Sequence, residues 1–194
     1  MILLITFSSI ESYRWFNFVL NEWIPKRNIV VLIPCSSTKP FHKSITHRSF
    51  FRKIWNMWYR GLLDLIIVSE PLTIVPAEYD YPKPRYPMYN YPPALIKNDD
   101  EFAYKERKIW RRRFEIFMNK IADKECYFSL YPYHREILGP LLETYCKAGI
   151  YVERPYITKG INLLMRMINS DKHCEEKFLH VNSRIQTLPT IEYL

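Results

Sequence analysis

The chain has 194 residues, 48% apolar, 25% charged and 16% aromatic, a globular mixture that excludes disordered, collagen-like and disulfide-scaffold proteins. Lys and Arg outnumber Asp and Glu by 28 to 20, a formal net charge of +8, so an anionic partner such as nucleic acid is the first expectation. The cysteines stand at 35, 126, 146 and 174 with no two in a CxxC pair, which argues against a zinc knuckle or a thioredoxin motif and suggests no pairing.

Short apolar runs alternate with helical periodicity, the pattern of βαβ units around a largely parallel sheet. Met1 to Phe7 reads as a first strand. It lacks a basic lead and a small-residue cleavage site, and no apolar run approaches the ~18 to 20 residues of a membrane span. The expectation is therefore a cytoplasmic protein with reduced thiols and no membrane partner. Ile10 to Trp23 has helical spacing and stops before Pro25, and Asn28 to Ile33 is a buried strand. Ser44 caps a helix predicted to run to about Arg60, with Gly61 as its terminator. Asp64 to Ser69 is the next strand, and the proline-rich segment from Glu70 to Asn98 reads as a long loop.

Asp99 or Asp100 caps a helix to about Ala122, with Ala103, Trp110, Phe114, Phe117 and Ile121 on one face. Cys126 to Tyr131 follows as a strand, His134 to Lys147 as a helix, Gly149 to Val152 as a strand and Thr158 to Asn169 as a helix. The tail from Cys174 is ambiguous. Together these predict one α/β domain over residues 1–194, a three-layer αβα sandwich with a central, mostly parallel sheet of four or five strands. Ligands in such sheets bind beyond the carboxyl ends of the strands. That edge carries the loops at 34 to 44, 70 to 98 and 131 to 134.

The first of these loops places Pro34, Cys35, Lys39, Pro40, Phe41, Ser44 and His47 in the pattern P-C-x-x-x-K-P-[YF]-x-x-S-x-x-H. A helix start beside a thiol favours anions and lowers the thiol's pKa. Read singly, Cys35 is equally a small buried hydrophobe, Ser44 a cap and His47 a first-turn residue. A second segment runs Ile66-Ile67-Val68-Ser69, Pro71-Leu72, Ile74-Val75-Pro76, Glu78 and Tyr81-Pro82. In this order the two segments resemble the core domain of archaeosine synthase, the archaeal relative of tRNA-guanine transglycosylases, over about Ile29 to Tyr145. The second differs from the family's S-P-L-G-x-V-P-x-E-x-x-x-Y-P by placing Glu70 inside the S-P step and Thr73 where the family has Gly.

The resemblance implies a fold similar to uracil-DNA glycosylases. It also implies an activity: joining the side-chain amine of lysine to the nitrile of 7-cyano-7-deazaguanine in tRNA, after which a radical-SAM partner cleaves the adduct to archaeosine. At this length no separate transglycosylase or PUA domain is expected, so tRNA would be docked directly or through a partner protein carrying such a domain.

Amine addition to a nitrile needs proton transfer in both directions. His47 or Glu78 would serve as acid or base, and Cys35 would form a covalent thioimide. Lys39 suits developing charge, with Ser36, Ser44, Ser69 and Tyr81 as further substrate-binding candidates. No cofactor and no metal are called for. The alternatives are a noncatalytic RNA-binding or assembly module and a glycosylase-like protein handling a base in DNA.

Tyr79 to Pro93 holds five Tyr and five Pro. With Lys83 and Arg85 among them, Tyr86 and Tyr89 are candidates for stacking unpaired bases, or else for covering the sheet edge. Lys105, Lys108 and Arg112 fall at helical spacing and form either a phosphate track or a solvated helix face. Tyr131-Pro132-Tyr133-His134 lies at a strand-to-helix junction, where His134 reads as a helix-start residue. His173, Cys174 and His180 form no recognisable metal set.

Overall fold

The computed structural model describes residues 3–92, 94–153, 156–169 and 178–181. Residues 1–2, His173, Cys174 and most of the ambiguous tail lie outside this set, as does the side chain of His180. The elements are β1 (Leu3–Leu4), α1 (Ile10–Glu22), β2 (Ile29–Pro34), α2 (Arg52–Tyr59), β3 (Asp64–Ser69), β4 (Thr73–Pro76), α3 (Ala77–Asp80), β5 (Tyr89–Asn90) and α4 (Ala94–Lys97). They continue with α5 (Glu101–Lys120), β6 (Glu125–Leu130), α6 (Pro132–Tyr145), β7 (Cys146–Val152), α7 (Ile157–Asn169) and β8 (Phe178–Val181).

The main sheet has six strands in the order β4-β3-β2-β6-β7-β8. All neighbours are parallel except the antiparallel pair β3 and β4. The expected four or five strands are thus corrected to six. β4 is a four-residue strand inside the proline-rich segment expected to be loop, and β8 comes from the tail. The predicted first strand contributes only β1, which pairs with β5 outside the main sheet. Its apolar residues Ile5 and Phe7 serve the core instead, with Phe7 stacked on Trp110 at 5.2 Å.

β2 and β3 are central because their apolar runs bury both faces: Val30 to Ile33 and Leu65 to Val68 are fully buried, each side chain worth about 1.5–3 kcal/mol. Helices cover both sides. On β7, Ile150 and Val152 pack on Gly160 of α7, while Tyr151 turns to Gly139 of α6. Lys53 Nζ donates to Asn162 Oδ1 at 2.7 Å, tying α2 to α7. On the other face Arg113 of α5 donates to Ser12 Oγ of α1 at 2.8 Å, and Trp110 of α5 meets His134 of α6.

The caps follow the sequence. Asp100 Oδ1 accepts from Ala103 N at 2.7 Å to start α5, and Gly61 ends α2 with φ +69°, the left-handed geometry glycine adopts freely. The helix predicted from Ser44 is broken: Phe41–Lys43 is a 3₁₀ turn, Thr46–Phe50 a turn of π-helix, and α2 begins only at Arg52. The expectation of unpaired cysteines is also corrected, because Cys126 and Cys146 are joined as a disulfide. They are register partners on adjacent β6 and β7, a proximity that spacing of 20 along the chain does not reveal. Among the described residues no helix is long and apolar enough to cross a membrane.

Candidate active site

The chain passes from β2 outward to β3, then returns across the sheet to β6 on the other side of β2. The carboxyl ends of these three strands therefore frame a switch-point crevice. Cys35 follows β2, Glu70 follows β3, and Tyr133 and His134 open α6 just after β6.

These side chains converge on Glu70, which is nearly buried. The Cys35 thiol donates to Glu70 Oε2 at 3.0 Å, and the Tyr133 hydroxyl donates to Oε1 at 2.7 Å. His134 Nε2 lies 3.3 Å from Oε1. His134 Nδ1 lies 3.2 Å from both the N and the O of Tyr131, which holds the ring with Nε2 towards the carboxylate. Burial works to raise the Glu70 carboxyl, but the His134, Cys35 and Tyr133 contacts outweigh it and hold the group below the ordinary carboxylate range. Burial first, and the Glu70 charge second, push the Cys35 thiol well above its ordinary value. The resting pair is consequently a thiol donating to a carboxylate. Cys35 nonetheless keeps part of its surface open.

Lys39 borders this group, with Nζ 4.2 Å above the Tyr89 ring. Burial lowers its ammonium, against the opposing pull of Cys35 and Glu70. Lys97 Nζ lies 4.4 Å over the Tyr133 ring. Ser69 is fully buried behind Glu70, with its hydroxyl on that of Tyr89.

The other predicted residues lie apart from the thiol. His47 is fully buried. Its Nε2 donates to Pro34 O at 3.0 Å and its Nδ1 accepts from Trp55 Nε1 at 3.1 Å, so both nitrogens are occupied by the scaffold. Burial pushes its pKa down to about 4. Ser44 caps His47 N at 3.1 Å, and Ser36 Oγ folds back onto Thr38 O. Glu78 Oε1 accepts from Trp23 Nε1 at 2.9 Å and lies 3.8 Å from Lys26 Nζ, pinning α1 to α3. Tyr81 edges a separate cleft with His42 and Trp58.

Tyr86 and Tyr89 are buried in the core and offer no free stacking face; Tyr86 instead donates to Asp80 Oδ1 at 2.6 Å. Their proline-rich segment packs against α1 through Trp15, which explains the burial. Lys83 and Arg85 are exposed. On α5, Lys105 pairs with Glu101 and Arg112 with Glu115, Lys108 is exposed, and Arg113 is buried.

Three residues of the convergent group, Glu70, Tyr133 and His134, were outside the predicted catalytic set. Glu70 carried a signal, as an inserted charge next to a strand end, and Tyr133 and His134 another, as polar residues after β6. Among the described residues no group of three or more His, Cys, Asp or Glu side chains could hold a metal ion.

A family model described as a domain of unknown function, DUF5591, matches residues 12–148. Archaeosine synthase subunit alpha of Methanosarcina acetivorans is 30% identical over 147 residues, which is 75% of this chain and 22% of that protein. Archaeosine synthase of Methanocaldococcus jannaschii is 27% identical over 105 residues, 54% of this chain and 16% of that one. Archaeosine synthase subunit alpha of Thermoplasma acidophilum is 27% identical over 100 residues, 51% and 19%. The chain thus spans about a fifth of the length of these relatives. A solved structure, that of AF0587, a protein of unknown function, matches 82% of this chain and 51% of its own at a TM-score of 0.55 and 20% identity, a likeness of fold. With more than half its length matched, the chain belongs to the DUF5591 family and is a domain related to archaeosine synthase.

Proposed function

We propose that the chain acts in tRNA modification of the archaeosine type, adding the side-chain amine of lysine to the nitrile of 7-cyano-7-deazaguanine in tRNA. The observation that carries this reading is the Cys35 thiol hydrogen-bonded at 3.0 Å to the Glu70 carboxylate. A thiol held above its usual pKa is a poor nucleophile by itself, and an adjacent base activates it.

In the proposed step, sulfur attacks the nitrile carbon as its proton passes to Glu70. The nitrile nitrogen takes a proton from Lys39, which burial makes the more acidic. The product is a thioimide. The amine of the substrate lysine then adds to the same carbon and gives a proton to the Lys39 amine, the carbon–sulfur bond breaks, and the thiolate recovers its proton from Glu70 to leave the amidine. Tyr133 and His134 hold Glu70 throughout, while His47 and Glu78 serve as positioning residues. The reading carries with it a uracil-DNA-glycosylase-like fold, a cytoplasmic setting, tRNA as partner, and a radical-SAM, transglycosylase or PUA-domain protein working alongside.

The assay is incorporation of labelled lysine into nitrile-bearing tRNA. Cys35→Ala is expected to fall to background and Glu70→Gln by about 100-fold or more, the span of lost general-base catalysis. Undiminished turnover by Cys35→Ala eliminates the thioimide. A second reading is a noncatalytic RNA-binding or assembly module, favoured by the burial that pushes the Cys35 thiol well above its ordinary value. Turnover only when a partner subunit is added, unaffected by Cys35→Ala, selects it.

A further inference from the structure

A second concavity lies beside the thiol site, on the far side of the buried His47. It is a cleft of about 340 Å³, within the ~300 to 1,000 Å³ common for small-molecule sites. Its walls are aromatic. Trp58 and Tyr81 meet edge to face at 6.1 Å, Trp55 and Trp58 at 5.4 Å, and His42 and Tyr81 at 5.1 Å. These rings are only partly buried, so each leaves surface open to a ligand.

Arg48 and Arg52 line the same cleft. Both are exposed, and among the described residues neither has a carboxylate within 4.0 Å.

The cleft is also held in shape from behind. Asp80 is fully buried and accepts from Phe41 N, His42 N and His42 Nδ1, each at 2.8 Å, and from the Tyr86 hydroxyl. Four bonds on one carboxylate fix the loop that carries His42. With the Nδ1 proton given to Asp80, the imidazole's Nε2 is left as a polar edge, and among the described residues it has no hydrogen-bond partner. Trp55 is likewise fixed, its Nε1 donating to His47 Nδ1 at 3.1 Å. A concavity with planar walls, one polar edge and two free guanidinium groups matches one ligand chemistry: a nucleobase joined to a phosphate.

We propose that this cleft binds an unstacked nucleotide of the RNA, its base against Trp58 and Tyr81 and its phosphate on Arg48 and Arg52. The choice of RNA as the source rests on the tRNA-modifying reading. The stacking chemistry rests on the cleft alone. The site would hold the strand beside the base undergoing reaction, a function for which the buried Tyr86 and Tyr89 are not available.

Binding to the full chain is measured by anisotropy of a labelled eight-nucleotide single-stranded RNA, with guanosine 5′-monophosphate as competitor and a duplex of the same sequence as the comparison. Trp58→Ala is expected to weaken single-strand binding roughly 10-fold, the scale of one lost stack. Arg48→Ala with Arg52→Ala is expected to weaken it as well and to flatten its salt dependence by ~0.7 for each phosphate no longer neutralised. Tyr104→Ala, which removes an exposed ring on α5 outside the cleft, should bind as the wild type does.

Competition by the mononucleotide places the ligand chemistry in a single nucleotide, whereas RNA binding without such competition overturns the single-nucleotide cleft. The proposal is also overturned if the wild type shows no saturable binding, if duplex binds as well as single strand, or if both cleft variants bind normally. Binding is read without turnover, so the two ideas fail separately. Lysine incorporation by a chain whose cleft variants bind normally sinks only the cleft. Cleft binding without incorporation sinks only the reaction.

Discussion

Thr73 sits where the resembling family has Gly, and its backbone shows what that exchange entails. Its φ is +71°, and Ile74 N donates to Leu72 O at 2.9 Å across it, the two-residue closure of a γ-turn with a left-handed centre, a rare and strained form. A β-branched residue there stores about 1–3 kcal/mol. The side chain is also fully buried, and its hydroxyl has no partner among the described residues, a further penalty of about 1 kcal/mol. Replacing Thr73 with Gly removes both. Against this stand about 0.5–1 kcal/mol for the freer unfolded chain and about 1 kcal/mol for the lost buried methyl. The balance predicts Thr73→Gly to be more stable by about 1 kcal/mol, or a Tm higher by about 2–4 °C for a chain of this size. Urea denaturation followed by circular dichroism measures it, with Thr73→Ala as control. That variant loses the hydroxyl but keeps a Cβ in the left-handed region, so it should stay near the wild type. A Gly variant no more stable than the Ala variant refutes the strain.

Glu70→Gln removes the charge beside Cys35, so the midpoint of the pH profile for Cys35 alkylation, followed by peptide mass spectrometry, should move to lower pH; an unmoved midpoint means the carboxylate does not govern the thiol. His47, pushed by burial from 6.5 to about 4, is neutral when folded, so between those values the unfolded chain binds the extra proton. Stability is then full above pH 6.5 and falls by about 3 kcal/mol towards pH 4, and His47→Gln should flatten that part of the pH dependence of urea midpoints. Gly149→Ala would set its Cβ 2.1 Å from Phe128 Cε1, inside a fully buried ring packed on Tyr151 at 4.9 Å. It should cost about 3 kcal/mol or prevent folding, and a variant within 1 kcal/mol of the wild type would show that β7 can shift.

The parts legible in the sequence are those set by local pattern. Asp64 to Ser69 is a strand over its predicted span because its apolar run is buried on both faces, and α5 starts at a cap visible as Asp100. β4 is not legible there because four residues in a proline-rich segment carry no period, and they become a strand only by lying antiparallel on β3. The same distinction runs through the site. Cys35 was recognisable as a thiol at a strand end, a local fact. The motif's own acid–base residues, His47 and Glu78, are instead bonded to the scaffold. The structure puts Glu70 beside the thiol, and ties it to a Tyr and a His more than 60 positions along the chain.

That tie is a consequence of strand order, because β3 and β6 are unrelated in sequence but flank β2. Burying a carboxylate is costly unless it is bonded or paired, and Glu70 has hydrogen bonds from a hydroxyl and a thiol and an imidazole nitrogen at 3.3 Å. Two of these partners stay in place through the proposed reaction, while the third is the group that reacts. A purely structural carboxylate would be served as well by three inert donors. The reactive partner, Cys35, keeps part of its surface open, as Tyr133 does, and a buried base turned towards a partly exposed thiol is the arrangement that nucleophilic chemistry requires.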